Sequence, residues 1–384
     1  CSGVLLSKQG LSARMDARLV NFSKGVFSRA LAKPLFAQSE SLYAGDLFAH
    51  FRSVLIEDSS CLKLPAVLAP FFPGAHSKRL KGPAATARIQ LRYSLKAEQY
   101  THLAIQSFRQ NDQSYAYQIV SSIQAGDLVL RDLGYFVLGS FTAILKAKGH
   151  LLSRYRFGVN LFDPGDGRPF CLNQRLAKME KAKQTIWEQW VKVGEQEQVP
   201  LRIIAIRLPE SVVAERIRKA KKNRHQRAHH SKAYFELLKW NIFLTSVDSS
   251  IWRAKQAARA YTLRWRIEMI FKTWKSHLDL AKMFAHKQSL RYERVMIQLY
   301  LSLSWMLLFL MPWYRFFSQK AVKNNPLNLS IAKFTQWAKE HFKALVLTTR
   351  LDSFWKIVQY YCLEEPRRKR ISQLQIMREK FPLA

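Results

Sequence analysis

The hydrophobic periodicity of this chain changes once, near Ser250, and that change limits the fold more than any other feature. Beyond it, 3.6-residue periods dominate and no period-two run recurs. Before it, Ile89, Leu91, Tyr93 and Leu95 alternate with Gln90, Arg92 and Ser94, the pattern of a half-buried strand. Val54 to Ile56, Tyr115 to Val120, Asp127 to Leu130, Arg154 to Phe162, Leu201 to Pro209 and Trp240 to Val247 read as further strands, and two basic, helix-prone stretches separate the last three. Near the N-terminus, Leu19, Phe22, Val26, Phe27 and Leu31 recur at helical spacing. Strands, then a mixed insertion, then helices predict an α/β chain with helices packed on a central sheet.

Length allows about two domains, or one large domain with an insertion, in 384 residues. Lys and Arg outnumber Asp and Glu by 62 to 27, a net charge of +35 spread over most of the chain, so a polyanion is the expected partner. Cys1, Cys61, Cys171 and Cys362 lie far apart, which argues against a disulfide framework or a structural zinc site. Val295 to Tyr314 is uncharged and long enough to span a bilayer. Gln298, Ser302, Ser304 and Pro312 interrupt it and no second span accompanies it, so it reads as a buried core helix, with a membrane-associated protein as the rival reading.

The stretch richest in chemistry is Tyr261 to Lys275, YTLRWRIEMIFKTWK. As one helix turning about 100° per residue, it carries Tyr261, Arg264, Glu268 and Lys275 on a stripe roughly 60° wide. Leu263, Ile267, Ile270, Trp274 and Leu278 fall on the opposite side, where they dock the helix on a core. A carboxylate can hold Mg²⁺ through oxygen, while Arg, Lys and Tyr grip phosphate oxygens beside it. Two-metal phosphoryl transfer needs more than one carboxylate. Asp58, after VLIE, and Asp132, after LVLR, stand where a strand is expected to end and a turn to begin; either could instead form a turn or cap a helix.

Tyr261, Arg264, Glu268 and Lys275 make the pattern Y-x2-R-x3-E-x6-K, and with Asp58-Ser59-Ser60 and Asp132-Leu133-Gly134-Tyr135 the chain resembles the DDE transposases of the insertion sequence 4 family. The resemblance implies an α/β, RNase H-like catalytic core, a mixed sheet flanked by helices, with an inserted mostly β domain and helical termini. On that reading residues 1–50 form a helical N-terminal segment shortened from a DNA-binding region. Residues 51–150 and 250–320 form the two parts of the core, 151–249 the β-rich insertion and 321–384 a C-terminal helical region. Asp58, Asp132 and Glu268 would bind two Mg²⁺ (or Mn²⁺) ions for cut-and-paste transposition at terminal inverted repeats. Relatives form a hairpin intermediate and flip a base out of the duplex. Tyr261 and Arg264 would hold that base, and Trp240, at the head of WNIFLTSV, is placed like the aromatic that stacks on it.

Lys272 and Lys275 join this DNA-contacting set, as do Arg216, Lys219 and Lys222 of the basic run Arg216 to Lys232. The clustered His225, His229 and His230 lack the acids or cysteines of a metal site. Lys78, Arg79 and Lys81 form a smaller basic turn, and Arg367 to Arg370 a basic run expected by chance in so basic a chain. Partners implied are transposon-end and target DNA and a second copy in a synaptic homodimer, with no membrane, in the bacterial cytoplasm at the nucleoid. The alternative is a truncated, catalytically inactive copy that only binds DNA.

Overall fold

A computed structural model describes residues 7–32, 45–75, 84–223, 231–278, 291–324 and 328–365. The strands are β1 (Ser53–Leu64), β2 (Ala85–Ser94), β3 (Gln99–Ser107), β4 (Asp127–Arg131), β5 (His150–Arg154), β6 (Leu161–Phe162), β7 (Ile186–Val193), β8 (Val199–Arg207) and β9 (Trp240–Thr245). They lie in the order β3-β2-β1-β4-β5-β9-β8-β7-β6. The sheet is mixed, with β4 and β5 parallel and the pairs β2/β3, β5/β9, β9/β8, β8/β7 and β7/β6 antiparallel. Helices precede, interrupt and follow these strands, which is the expected α/β class.

The chain forms two compact units. One takes in Cys1–Ala44, Glu57–Asn111 and Trp265–Gln375, and the other Gly45–Ile56 and Asp112–Arg264; β1 runs continuously from the second into the first. The second unit holds α3 (Asp112–Tyr115), α4 (Leu138–Lys146), α5 (Leu172–Lys181), α6 (Glu210–Lys222), α7 (Lys232–Leu237) and α8 (Ala254–Thr262). A crossover through α4 lets β4 and β5 run parallel. Its core joins Val129, Phe141, Ile144, Leu151, Leu201, Ile203 and Leu244, all buried. Runs of Val, Ile and Leu form these strands because they are covered on both faces.

The first unit holds α1 (Lys8–Ala13), α2 (Ala17–Ala32), the β2–β3 hairpin, α9 (Trp265–Ser276), α10 (Tyr292–Trp305), α11 (Met311–Asn324), α12 (Ile331–Glu340), α13 (Phe342–Leu347) and α14 (Trp355–Cys362). Phe27 of α2 packs on Tyr300 of α10 with ring centroids 5.7 Å apart. A π-helical turn, Met306–Leu310, joins α10 to α11. Pro312 explains it, since proline cannot close the ordinary bond four residues back and the wider turn absorbs the misfit. Tyr292–Ala321 is long and apolar enough to cross a membrane. Val295, Leu299, Tyr314 and Phe317 on it are fully buried, as a core helix requires.

Four expected strands form where expected, in β1, β4, β8 and β9, and β2 covers the alternating run. Tyr115 to Val120 does not form a strand: it holds the end of α3 and turns, with Tyr115, Ala116 and Ile119 buried and Tyr117 exposed. Only the ends of Arg154 to Phe162 are extended, in β5 and β6.

Candidate active site

β4 is buried along its whole length and delivers Asp132 from its C-terminal end. The residue before it, Arg131, is 1% exposed and donates to Ser140 Oγ at 2.7 Å and to the Ala116 carbonyl at 3.1 Å, which pins the strand end. Asp132 opens a 3₁₀ turn over Leu133–Tyr135, yet its side chain makes no cap bond. Its carboxylate faces two signature residues instead. The Tyr261 hydroxyl donates to Asp132 Oδ1 at 3.4 Å, and Arg264 Nε lies 4.0 Å from the same oxygen. Both distances are long for a hydrogen bond and an ion pair, so each is a weak approach to the carboxylate.

Tyr261 is held from two sides. Phe243 packs on its ring at 5.3 Å, and the Arg264 guanidinium lies 5.8 Å over it. Burial pushes the hydroxyl up to about 12, with the Asp132 charge adding to the shift and Arg264 opposing it. Tyr261 is therefore a proton donor throughout the neutral range.

The signature does not lie on one helix, contrary to the single stripe expected. α8 ends at Thr262, Leu263 and Arg264 form a turn, and α9 begins at Trp265. The Leu263 and Arg264 amides bond back three residues, to Ala260 and Tyr261, so the backbone tightens there. Tyr261 and Arg264 belong to the second unit with Asp132, whereas Glu268 and Lys275 belong to the first. The apolar positions do dock: Leu263, Ile267, Ile270 and Trp274 are at most 2% exposed.

Asp58 and Glu268 stand in the first unit. Asp58 is the sixth of the twelve residues of β1, not the end of a strand, because the Ser-Ser pair after it stays extended and the strand runs on to Leu64. Its Oδ1 accepts the Ser59 amide at 2.8 Å. Glu268 is half-buried in the first turn of α9, where the helix dipole favours a carboxylate. Lys272 and Lys275 are exposed on α9. Lys275 also lines a small cavity with Ser60, Cys61, Leu62, Ile89, Phe271 and Trp274.

Trp240 does not fit a base-stacking role. It is 3% exposed, starts β9, belongs to the core of the second unit and carries the Arg207 guanidinium 5.9 Å over its ring. On β7, a strand that mixes Glu, Gln and Lys with its apolar residues, Trp190 is exposed, 37% accessible. Arg216 is also committed internally, donating to Asn241 Oδ1 at 2.8 Å and to the Trp240 carbonyl at 3.3 Å. Lys219 is exposed and pairs with Glu215 at 3.3 Å, and Lys222 is exposed. Lys78, Arg79, Lys81, His225, His229, His230 and Arg367 to Arg370 lie outside the described residues.

Three carboxylates offering only oxygen suit a hard divalent cation. Among the described residues, no three His, Cys, Asp or Glu side chains are gathered into a metal-holding group. Asp58, Asp132 and Glu268 therefore match such an ion in donor type, as carboxylate oxygens, but are not gathered as a set of three.

Residues 49–304, two thirds of the chain, match the transposase DDE domain, and the chain belongs to that family. It is 27% identical over 316 residues to the transposase for insertion sequence element IS231F of Bacillus thuringiensis subsp. israelensis, covering 78% of this chain. It is likewise 27% identical over 312 residues to the transposase for IS1151 of Clostridium perfringens, covering 77%. The chain spans 64% of the length of each of these curated relatives. Among solved structures it is similar to the piggyBac transposase synaptic complex with hairpin DNA, with TM-score 0.41 and 10% identity over 80% of this chain and 57% of that one.

Proposed function

We propose that this chain is the catalytic part of an insertion-sequence transposase that cuts and rejoins DNA at terminal inverted repeats, with an RNase H-like core and residues 151–249 as its inserted segment. The observation that carries the reading is the approach of Tyr261 and Arg264 to Asp132, since it ties the signature to the second acid by contact. Asp58, Asp132 and Glu268 would hold two divalent ions, Mg²⁺ or Mn²⁺, which when bound neutralise phosphate charge and activate the attacking oxygen. Tyr261, kept protonated, and Arg264 face the Asp132 carboxylate and would help to orient it. Lys272, Lys275 and Lys222 supply exposed cations for backbone phosphates, a salt-dependent and sequence-independent contribution. Trp190 offers the exposed ring on which an unpaired base can stack. Two copies would hold two element ends together.

The test is cleavage of a linear duplex carrying the inverted repeats that flank this reading frame, with Mg²⁺, for wild type and Glu268→Gln. Nicks at the repeat ends that vanish in the variant support an active transposase. Retained binding with no cleavage by either protein overturns the reading and points to an inactive copy that only binds DNA.

A further inference from the structure

The acids Asp58 and Glu268 each stand beside a buried charge that has no part in the chemistry above. Glu57, fully buried, precedes Asp58, and its Oε1 receives Arg92 Nε at 2.8 Å and Nη2 at 2.6 Å. Arg266, 7% exposed, lies two residues before Glu268; its Nη2 donates to Glu98 Oε1 at 2.7 Å and to the Tyr314 hydroxyl at 3.0 Å. Both partners come from one place, since Arg92 is on β2 and Glu98 closes the β2–β3 turn.

The hairpin departs from regularity at both residues. The β2–β3 register shifts between Arg92 and Tyr93, so Arg92 faces His102 while Tyr93 faces Tyr100. Such bulges re-aim a side chain. Glu98 has φ +48, the left-handed region where Gly or Asn is preferred, and its carboxylate is nevertheless 2% exposed and paired. A strained acid at a hairpin tip and a bulge at a buried arginine are costly ways to make a turn, and a buried ion pair is no more stabilising than a well-packed apolar one. Geometric specification accounts for both.

The geometry has a direct consequence for the acids. Successive strand residues point to opposite faces, so pinning Glu57 to Arg92 turns Asp58 to the other face of β1. Residues two apart on a helix are about 200° apart, so pinning Arg266 to Glu98 turns Glu268 to the other side of α9. We infer that the β2–β3 hairpin is a positioning clamp, in which Arg92 and Glu98 fix the setting of β1 and α9 and thereby orient Asp58 and Glu268 for their divalent ion. The inference rests on the reading of those two acids as metal ligands.

The experiment measures Mn²⁺ binding to the full chain by calorimetry without DNA, beside thermal unfolding, duplex affinity and cleavage. Glu57→Leu/Arg92→Met removes one pair at similar volume; Glu98→Gly/Arg266→Met removes the other together with the strained φ. Each is expected to stay folded and to bind duplex normally, while Mn²⁺ affinity and cleavage fall about 10- to 100-fold, the range for groups that orient metal ligands. Stably folded variants with wild-type Mn²⁺ affinity overturn the clamp. Should Glu268→Gln leave Mn²⁺ binding unchanged, the metal reading itself fails and the clamp with it; loss in Glu268→Gln with none in either double variant sinks the clamp alone. If one double variant does not fold, the other decides.

Discussion

Replacing Trp240 and Trp190 separately by alanine distinguishes an architectural tryptophan from one that meets DNA. Trp240 is 3% exposed within the core of the second unit. A large aromatic buries about 150–250 Å². At about 25 cal/mol per Å² its truncation removes about 4–6 kcal/mol of transfer free energy, an upper estimate, and measured core truncations of this size cost about 3–5 kcal/mol. Since domains are stable by only about 5–15 kcal/mol, Trp240→Ala should shift the urea midpoint sharply, and any loss of DNA binding should follow the folded fraction. Trp190→Ala should behave in the opposite way. With its ring 37% accessible, stability should change little, whereas affinity for a duplex with an unpaired base at the repeat end should fall by about 1–3 kcal/mol, roughly 5- to 150-fold. Circular dichroism in urea and fluorescence anisotropy on the same preparations give both numbers. A Trp240→Ala protein that loses under about 1 kcal/mol of stability yet binds DNA weakly would refute the assignment of Trp240 to the core.

Lys275→Met should leave thermal unfolding within about 0.5 kcal/mol of wild type, because the side chain is exposed, and should slow strand cleavage; normal cleavage by the folded variant would refute a phosphate contact. Arg216→Ala should cost about 1–3 kcal/mol of stability by stripping Asn241 and the Trp240 carbonyl of a donor. Lys222→Ala should leave stability alone and lower the salt slope of duplex binding by about one, so matching salt slopes for Lys222→Ala and wild type would remove it from the interface. His102 and His150 are both held below the ordinary 6.5, by burial first and for His102 by Arg92 as well. The unfolded chain takes up protons near 6.5 and the folded one resists, so their contribution is present above that pH and is lost as pH falls below it. Substituting both by Gln should flatten the unfolding midpoint between pH 7 and pH 5, and an unchanged slope would contradict the burial of these rings.

The parts of the fold legible in the sequence are those where one local rule decides. β4, β8 and β9 are Val/Ile/Leu-rich runs that can only be covered strands, and the helical second half follows from its period. Tyr115 to Val120 misleads because Tyr115, Tyr117 and Ile119 alternate by two, whereas burial falls on Tyr115, Ala116 and Ile119, the spacing of a helical turn. On β2 the alternation is correct and its meaning is not. Gln90, Arg92 and Ser94 should face water, yet all are at most 2% exposed, and Arg92 is paired with Glu57, thirty-five residues away, which a local pattern cannot show.

The site shows the same division between composition and arrangement. Residue types in the signature announce phosphate chemistry, but a helical wheel assumes an unbroken helix, and the chain turns at Leu263 and Arg264. No breaker marks that turn: Leu and Arg are good helix formers, and neither Gly nor Pro is near. Tertiary contacts set it, with Tyr261 packed on Phe243 and drawn toward Asp132, and Arg266 buried against Glu98. Those two demands fall on residues five apart, and one continuous helix would have to satisfy both with a single rotation. The break frees each from the other, so Tyr261 and Arg264 follow the strand end that carries Asp132 while Glu268 follows the helix that Arg266 anchors. Positions that a helical wheel places on one face are therefore divided by the turn at Leu263 and Arg264, and only Tyr261 and Arg264 stand against Asp132.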